Sequence, residues 1–383
     1  MNNFENSPEH IYIHWPFCKS KCYYCDFISF QSHENFQADY HKALCTQIKG
    51  FVKNNQKVSS IKTIFLGGGS PSLYPLDLLK DLFKVLRQSF DLKNCSEITI
   101  EVNPADVTEE KLKTWRELGI NRLSAGVQIL DDKILQDLKC KQTIKDVQNF
   151  IKIAPNYFSN ISVDLILGLP GTSQKIWNET LQQVVSWSIK HLSLYLLMVY
   201  DKTPLFFKLK EKELHLLAEK QIEDMYLYSV KFLKDHGFEQ YEISNFAKPG
   251  FSSVHNIAYW DRKPYVGFGL AASSFDGVKR CVNEKKLGQY LKCLNSKGSQ
   301  KLHSEEVLDK KQEILEVLML GLRQTKGVDL HRVLYLLSND EREKFLSGIK
   351  ILKSQDLIQE IGGRMSLTLK GMMLENEVIL RLF

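Results

Sequence analysis

The sequence contains no run of about 18 apolar residues, the length that a membrane-spanning helix needs. Its first ten residues, MNNFENSPEH, are polar and lack the apolar stretch of a secretory signal. Neither a membrane span nor export is expected, and the cytoplasm is the expected compartment. Disulfides are then not expected either, because the cytosol keeps thiols reduced. Charge of one sign is not concentrated anywhere. Lys and Arg total 51 against 45 Asp and Glu, a net charge of +6. The surplus is scattered among acidic residues, so no nucleic-acid surface is expected. No internal repeat, low-complexity segment or heptad run occurs.

What is present is ample material for a core. The chain has 383 residues, 43% of them hydrophobic and 25% charged. That length fits two to three average domains, or one large barrel with an extension. Strand-like runs fall at His10–Trp15, Ile61–Leu66, Glu97–Asn103, Arg122–Gln128, Ser162–Gly168 and His191–Val199. Helical patterns lie between them, near residues 35–53, 75–89, 108–118, 131–153 and 173–188. This alternation predicts a parallel sheet covered by helices. The strands are not uniformly apolar. Glu97, Thr99, Glu101 and Asn103 alternate with Ile98, Ile100 and Val102, and Ser162 and Asp164 alternate with Val163 and Leu165. With helices over the apolar parity, the polar parity must face a polar interior. A barrel lined for a cofactor provides one.

Beyond residue 205 the pattern changes. A helix is predicted over 211–236. Helices follow near 305–325, 328–336 and 340–354, then two short strands around Gly362–Gly363. The expected division is a barrel over 1–240, a connecting segment over 241–303 and a helical, winged-helix-like module over 304–383. No Arg/Lys cluster marks a recognition helix in that module.

The chemistry is concentrated in residues 10–27, HIYIHWPFCKSKCYYCDF. Cys18, Cys22 and Cys25 form CxxxCxxC. A structural zinc site needs four ligands. No second cysteine pair exists, and the nearby histidine, His14, lies in a predicted strand. An iron–sulfur cluster held by three thiolates leaves one iron open to another ligand. Both readings stand on spacing alone. The loop follows the first strand, at the end where α/β barrels carry their sites.

CxxxCxxC in this position resembles the signature of the radical S-adenosylmethionine superfamily. LGGGSPS (66–72), EITIEVNP (97–104), NRLSAGVQ (121–128) and VDLILGLPG (163–171) resemble its later strands in order. The resemblance implies a partial (β/α)6 barrel and a [4Fe–4S] cluster on Cys18, Cys22 and Cys25. It implies S-adenosylmethionine held by Tyr12, Tyr24, Gly68, Gly69, Ser70, Glu101, Gln128 and Asp164.

The whole chain resembles the oxygen-independent coproporphyrinogen III oxidases and their HemW-type relatives, which are heme chaperones. The oxidases carry one more cysteine two residues past the triplet, where this chain has Phe27. They also have a longer segment before the first strand. HNIAYW (255–260) matches a HemW-type motif that implies heme contact at His255, and EILEVLMLGLRQTKGVDL (313–330) resembles the HemW-type tail. The resemblance therefore implies a carrier of heme without catalytic residues. It implies transfer to an acceptor protein, of the respiratory chain or membrane-associated. The alternative is a coproporphyrinogen oxidase acting by radical decarboxylation. A third reading is a zinc-stabilised interaction module. Two positions depart from the pattern. Cys140 stands where relatives carry a cofactor-binding arginine, and Ser273 where they often carry histidine.

Overall fold

A computed structural model describes residues 6–55, 60–295 and 302–382. Six parallel strands alternate with helices. They are β1 (His10–Trp15), α1 (Gln37–Asn54), β2 (Thr63–Gly68), α2 (Leu76–Ser89), β3 (Glu97–Val102), α3 (Glu109–Glu117), β4 (Arg122–Gln128), α4 (Asp132–Asp137), α5 (Ile144–Ile153), β5 (Asn160–Leu167), α6 (Gln174–Val185) and β6 (His191–Leu196). The strands pair in sequence order, β1 to β6. The two outermost strands of the sheet, Glu239–Glu242 and His303–Val307, do not pair with each other. The barrel is therefore partial, as the superfamily resemblance implied.

The two parities separate as the sequence required. Ile98, Ile100, Leu123, Ala125, Val127, Val163 and Leu165 are buried under the helices. The opposite parity places Thr99, Ser124, Ser162, His191 and Ser193 inside, with Arg122 buried among them. Buried polar groups must find partners. Ser162 Oγ bonds His191 Nδ1 at 2.8 Å, and His191 Nε2 bonds Tyr241 Oη at 2.7 Å.

Several expected elements change. The single helix expected over 131–153 is two. Lys139 adopts φ +55°, ending α4, and Thr143 caps α5 through a reciprocal bond with Asp146. Of the helix expected over 211–236, α8 (Glu219–Asp235) forms; the residues before it are a turn that follows a separate short helix, α7 (Pro204–Lys210). The segment expected to connect, which carries the HNIAYW motif, contributes strands to the sheet among its described residues. β7 (Glu239–Glu242) and β8 (Asn245–Ala247) extend it beyond β6. After α9 (Val254–Trp260), β9 (Tyr265–Phe268) pairs in parallel with β1. Strands Ser273–Phe275, Lys279–Asn283 and His303–Val307 follow it outward.

A second hydrophobic cluster gathers Ile314, Leu318, Leu322, Val333, Phe345, Leu352, Met365 and Leu367. It belongs to helices Lys310–Arg323, Leu330–Leu336 and Asn339–Ser354 and to a three-stranded sheet containing Ile358–Ile361 and Arg364–Leu367. The strands around Gly362–Gly363 fall where expected. An ion pair joins the two cores: Arg323 Nε lies 2.9 Å from the fully buried Glu242.

One side chain ties the mouth of the barrel to the wall behind it. The buried Tyr40 hydroxyl donates to the His14 carbonyl at 2.7 Å and accepts from the Leu270 amide at 2.9 Å. Tyr40→Phe strands both backbone groups. Chemical denaturation should show a loss of about 1–3 kcal/mol, with the secondary structure of the folded protein unchanged. An unaltered midpoint would show that the tie contributes nothing.

Candidate functional site

The site begins where β1 ends. The chain turns after β2 and lays its backbone directly on the residues leaving β1. The Gly69 amide donates to the Trp15 carbonyl at 2.7 Å, and the Ser70 amide to the Phe17 carbonyl at 2.9 Å. No side chain fits in this contact. A Cβ on Gly69 would lie 2.9 Å from the Trp15 carbonyl oxygen and 3.0 Å from Cys18 Sγ. Gly68 adopts φ +113°, and a Cβ there would lie 2.5 Å from the His14 ring. The cysteine loop is braced from the other side. Tyr23 N donates to Leu138 O at 3.0 Å, and Lys19 Nζ lies 2.8 Å from Asp106.

These contacts enclose a cavity of about 400 Å³. Cys18, Cys22, Cys25 and Tyr24 line it, with Gly68, Gly69, Ser70, Glu101, Gln128 and Asp164. Residues spread over 147 positions of sequence thus meet at one place. Gln128 reaches it through a bulge: the β4–β5 register slips between Gly126 and Gln128, and Gln128 takes φ +69°.

Two carboxyls, Glu101 and Asp164, face the cavity together. Burial pushes the Glu101 carboxyl up to about 8, and Asp164 adds to the shift. Burial also raises Asp164, which accepts from Ser124 Oγ at 3.0 Å. Glu101 Oε2 accepts from the Gly68 amide at 3.0 Å. Burial raises the Cys18 thiol, and Cys25 to about 11. A hydrogen bond to Cys140 raises Cys22. Cys140 in turn lies 3.5 Å from Tyr24 Oη. Three thiols on one wall, facing a cavity whose opposite turn cannot hold a Cβ, fit a thiolate-ligated metal group. Binding it would release protons.

Two expected residues lie elsewhere. Tyr12 is beneath the cavity, its hydroxyl 3.0 Å from His14 Nδ1 and its ring stacked on Phe65. His14 bonds the Ile28 carbonyl through its other nitrogen, so neither nitrogen is free for zinc. His255 is fully buried on α9. Its Nδ1 lies 2.6 Å from Thr63 Oγ1 and its Nε2 2.8 Å from Tyr259 Oη. Glu97 caps the helix, accepting from Ser253 Oγ and from the amides of Val254 and His255. Thr63 and Glu97 are the first residues of β2 and β3. The cysteine loop leaves the last residue of β1. His255 thus plugs the opposite end of the strands, roughly 17–20 Å away. Burial holds its imidazole neutral. A metal could reach Nε2 only by displacing Tyr259.

The sequence reading also missed part of the cavity. Asp106, Ser29 and Gln142 line it, and Phe27, Leu196, Met198 and Tyr200 form an apolar rim. The run LYLLMVY was read as strand to Val199. The strand stops at Leu196, so its last apolar side chains are left without a covering helix.

The raised Glu101 pKa makes stability depend on pH. Its ordinary value is 4.5 and its folded value about 8. Between these values the unfolded chain has lost the proton and the folded chain keeps it. This contribution is therefore full below the window and lost as pH rises through it. Glu101→Gln stays neutral throughout. Denaturation midpoints at the two ends of the window should fall with pH more steeply in the wild type than in this variant. Identical slopes would show that Glu101 titrates normally.

With this geometry established, known proteins can be compared. Residues 12–184 match the family model of the radical SAM superfamily, and residues 308–374 that of the HemN C-terminal domain. A protein named heme chaperone HemW from Bacillus subtilis is 37% identical, over 96% of this chain and 97% of its own. One of the same name from Lactococcus lactis is 32% identical, over 97% and 96%. The solved structure of coproporphyrinogen III oxidase (HemN) from Escherichia coli, titled a radical SAM enzyme, superposes with a TM-score of 0.84. It covers 98% of this chain and 90% of its own at 23% identity, a likeness of fold. Both the barrel and the C-terminal module are shared, and the chain belongs to the HemW family of the radical SAM superfamily.

Proposed function

We propose that this protein is a heme chaperone, which binds heme and passes it to an acceptor protein. One observation carries the reading. The match to the Bacillus subtilis chaperone runs through 96% of the chain at 37% identity, so it takes in both the cavity and the C-terminal module. Phe27 supports it: a solvent-exposed phenyl ring stands on the rim where the oxidases' pattern has a further thiol. The acceptor is a heme-requiring protein, of the respiratory chain or membrane-associated, and the chaperone works in the cytoplasm. Among the described residues no helix is long and apolar enough to cross a membrane.

Cys18, Cys22 and Cys25 would hold a [4Fe–4S] cluster. When bound, it supplies one-electron chemistry and an iron able to take a ligand that is not a cysteine. The remaining groups bind S-adenosylmethionine. The bare turn Gly68–Ser70 lets the amino and carboxylate end approach the backbone. Glu101 and Asp164 offer buried carboxyl groups to the ribose hydroxyls. Tyr24 and Gln128 flank the rest. The cations lining the cavity are Lys19, Lys21 and Lys141. Cys140 leaves no guanidinium at its position, so the methionyl carboxylate is held by backbone and lysine.

Anaerobic reconstitution with iron and sulfide should give about four irons per chain, and Cys22→Ser should abolish this. Titration with hemin should give a saturable change in the Soret band. The loaded protein should not decarboxylate coproporphyrinogen under reducing conditions. Sustained turnover would overturn the chaperone reading, and one zinc with no iron would overturn the cluster assignment.

A further inference from the structure

We propose that heme docks across the rim of the cavity, with the Met198 thioether as an axial ligand of its iron. This rests on the chaperone reading and names the site that serves it. The rim is an exposed apolar surface continuous with the cavity. Phe27 is 62% exposed, Leu196 40%, Met198 63% and Tyr200 41%, and all four line the mouth. Exposed apolar side chains gathered at the mouth of a cavity suit a binding surface. The cavity below is lined by carboxyls, thiols and backbone, which suit a polar cofactor. The rim offers aromatic and aliphatic faces, which suit a flat apolar macrocycle.

Two details select an iron porphyrin. The Met198 sulfur accepts from its neighbour, Tyr200 Oη donating to Sδ at 3.7 Å. The other sulfur lone pair stays open, and a thioether is an established axial ligand of heme iron. The charge on the rim is complementary too. Lys21 Nζ donates to the Phe27 carbonyl at 2.8 Å and, among the described residues, forms no ion pair. It can meet a propionate. Asp26, on the same rim, confines that role to the Lys21 side. His255, by contrast, is fully buried with both nitrogens engaged.

Coordination breaks no covalent bond and moves no electron: the sulfur lone pair enters a vacant iron position. A rim site also leaves one face of the heme open to solvent, which suits delivery to an acceptor.

The test is hemin titration of the full-length, reconstituted protein, followed by absorbance and magnetic circular dichroism. Met198→Ala should weaken binding by about tenfold or more and remove the sulfur-to-iron charge-transfer band. Met198→His should restore affinity with a nitrogen-ligand spectrum. His255→Ala should keep the wild-type spectrum. If the wild type takes up heme and Met198→Ala leaves its spectrum unchanged, the rim site is overturned while the chaperone reading stands. If the wild type takes up no heme, both fall. Met198 is exposed, so its variants should fold, and circular dichroism checks this.

Discussion

The mouth of the barrel depends on one close approach of two backbones. The turn after β2 must lie on the residues leaving β1, with the amides of Gly69 and Ser70 bonded to the carbonyls of Trp15 and Phe17. Any β-carbon at Gly69 would drive them apart. This contact fixes the first two walls of the cavity, and the cysteine loop is hung from it. Tyr40 clamps the same strand end from behind, through the His14 carbonyl. The position of the thiols thus depends on contacts from three separate segments.

The two ends of the barrel use buried polar groups differently. At the mouth, Glu101 and Asp164 face a cavity. At the base, Glu97 is spent on the amides of α9, and His255 is held between Thr63 and Tyr259. At the mouth, burial raises the proton affinity of both carboxyls, and Asp164 adds to the shift at Glu101. At the base His255 is a buried plug held by internal bonds, although Thr99 Oγ1, Arg122 Nε and Asn160 Oδ1 nearby have no hydrogen-bond partner among the described residues.

Much of the cavity was legible because its residues sit at strand ends and in a cysteine triplet, where spacing and period carry the information. The alternation of Glu97, Thr99 and Glu101 with Ile98 and Ile100 foretold a polar interior, and the interior is polar. His255 was different. Its motif pointed to heme, but which end of the sheet α9 occupies is not a property of six residues. It follows from β9 pairing beside β1, a contact between segments some 250 positions apart. Met198 was invisible for the reverse reason. In the sequence it reads as one more apolar residue of a strand, and only the end of that strand at Leu196 exposes it.

The sequence by itself determined the alternation of strand and helix, the parity that faces inward, the three thiols and a glycine-rich turn after the second strand. These are local: each follows from the period of a strand, the spacing of a loop or the φ angle a residue can take. The tertiary structure decided what those local rules do not reach. It placed strands Asn245–Ala247, Tyr265–Phe268, Ser273–Phe275 and Lys279–Asn283 in the main sheet, buried His255 at the base, set Cys140 against Cys22 and Tyr24, and left the rim uncovered. Each of these depends on which distant strands pair, and pairing is set by the packing of the whole sheet.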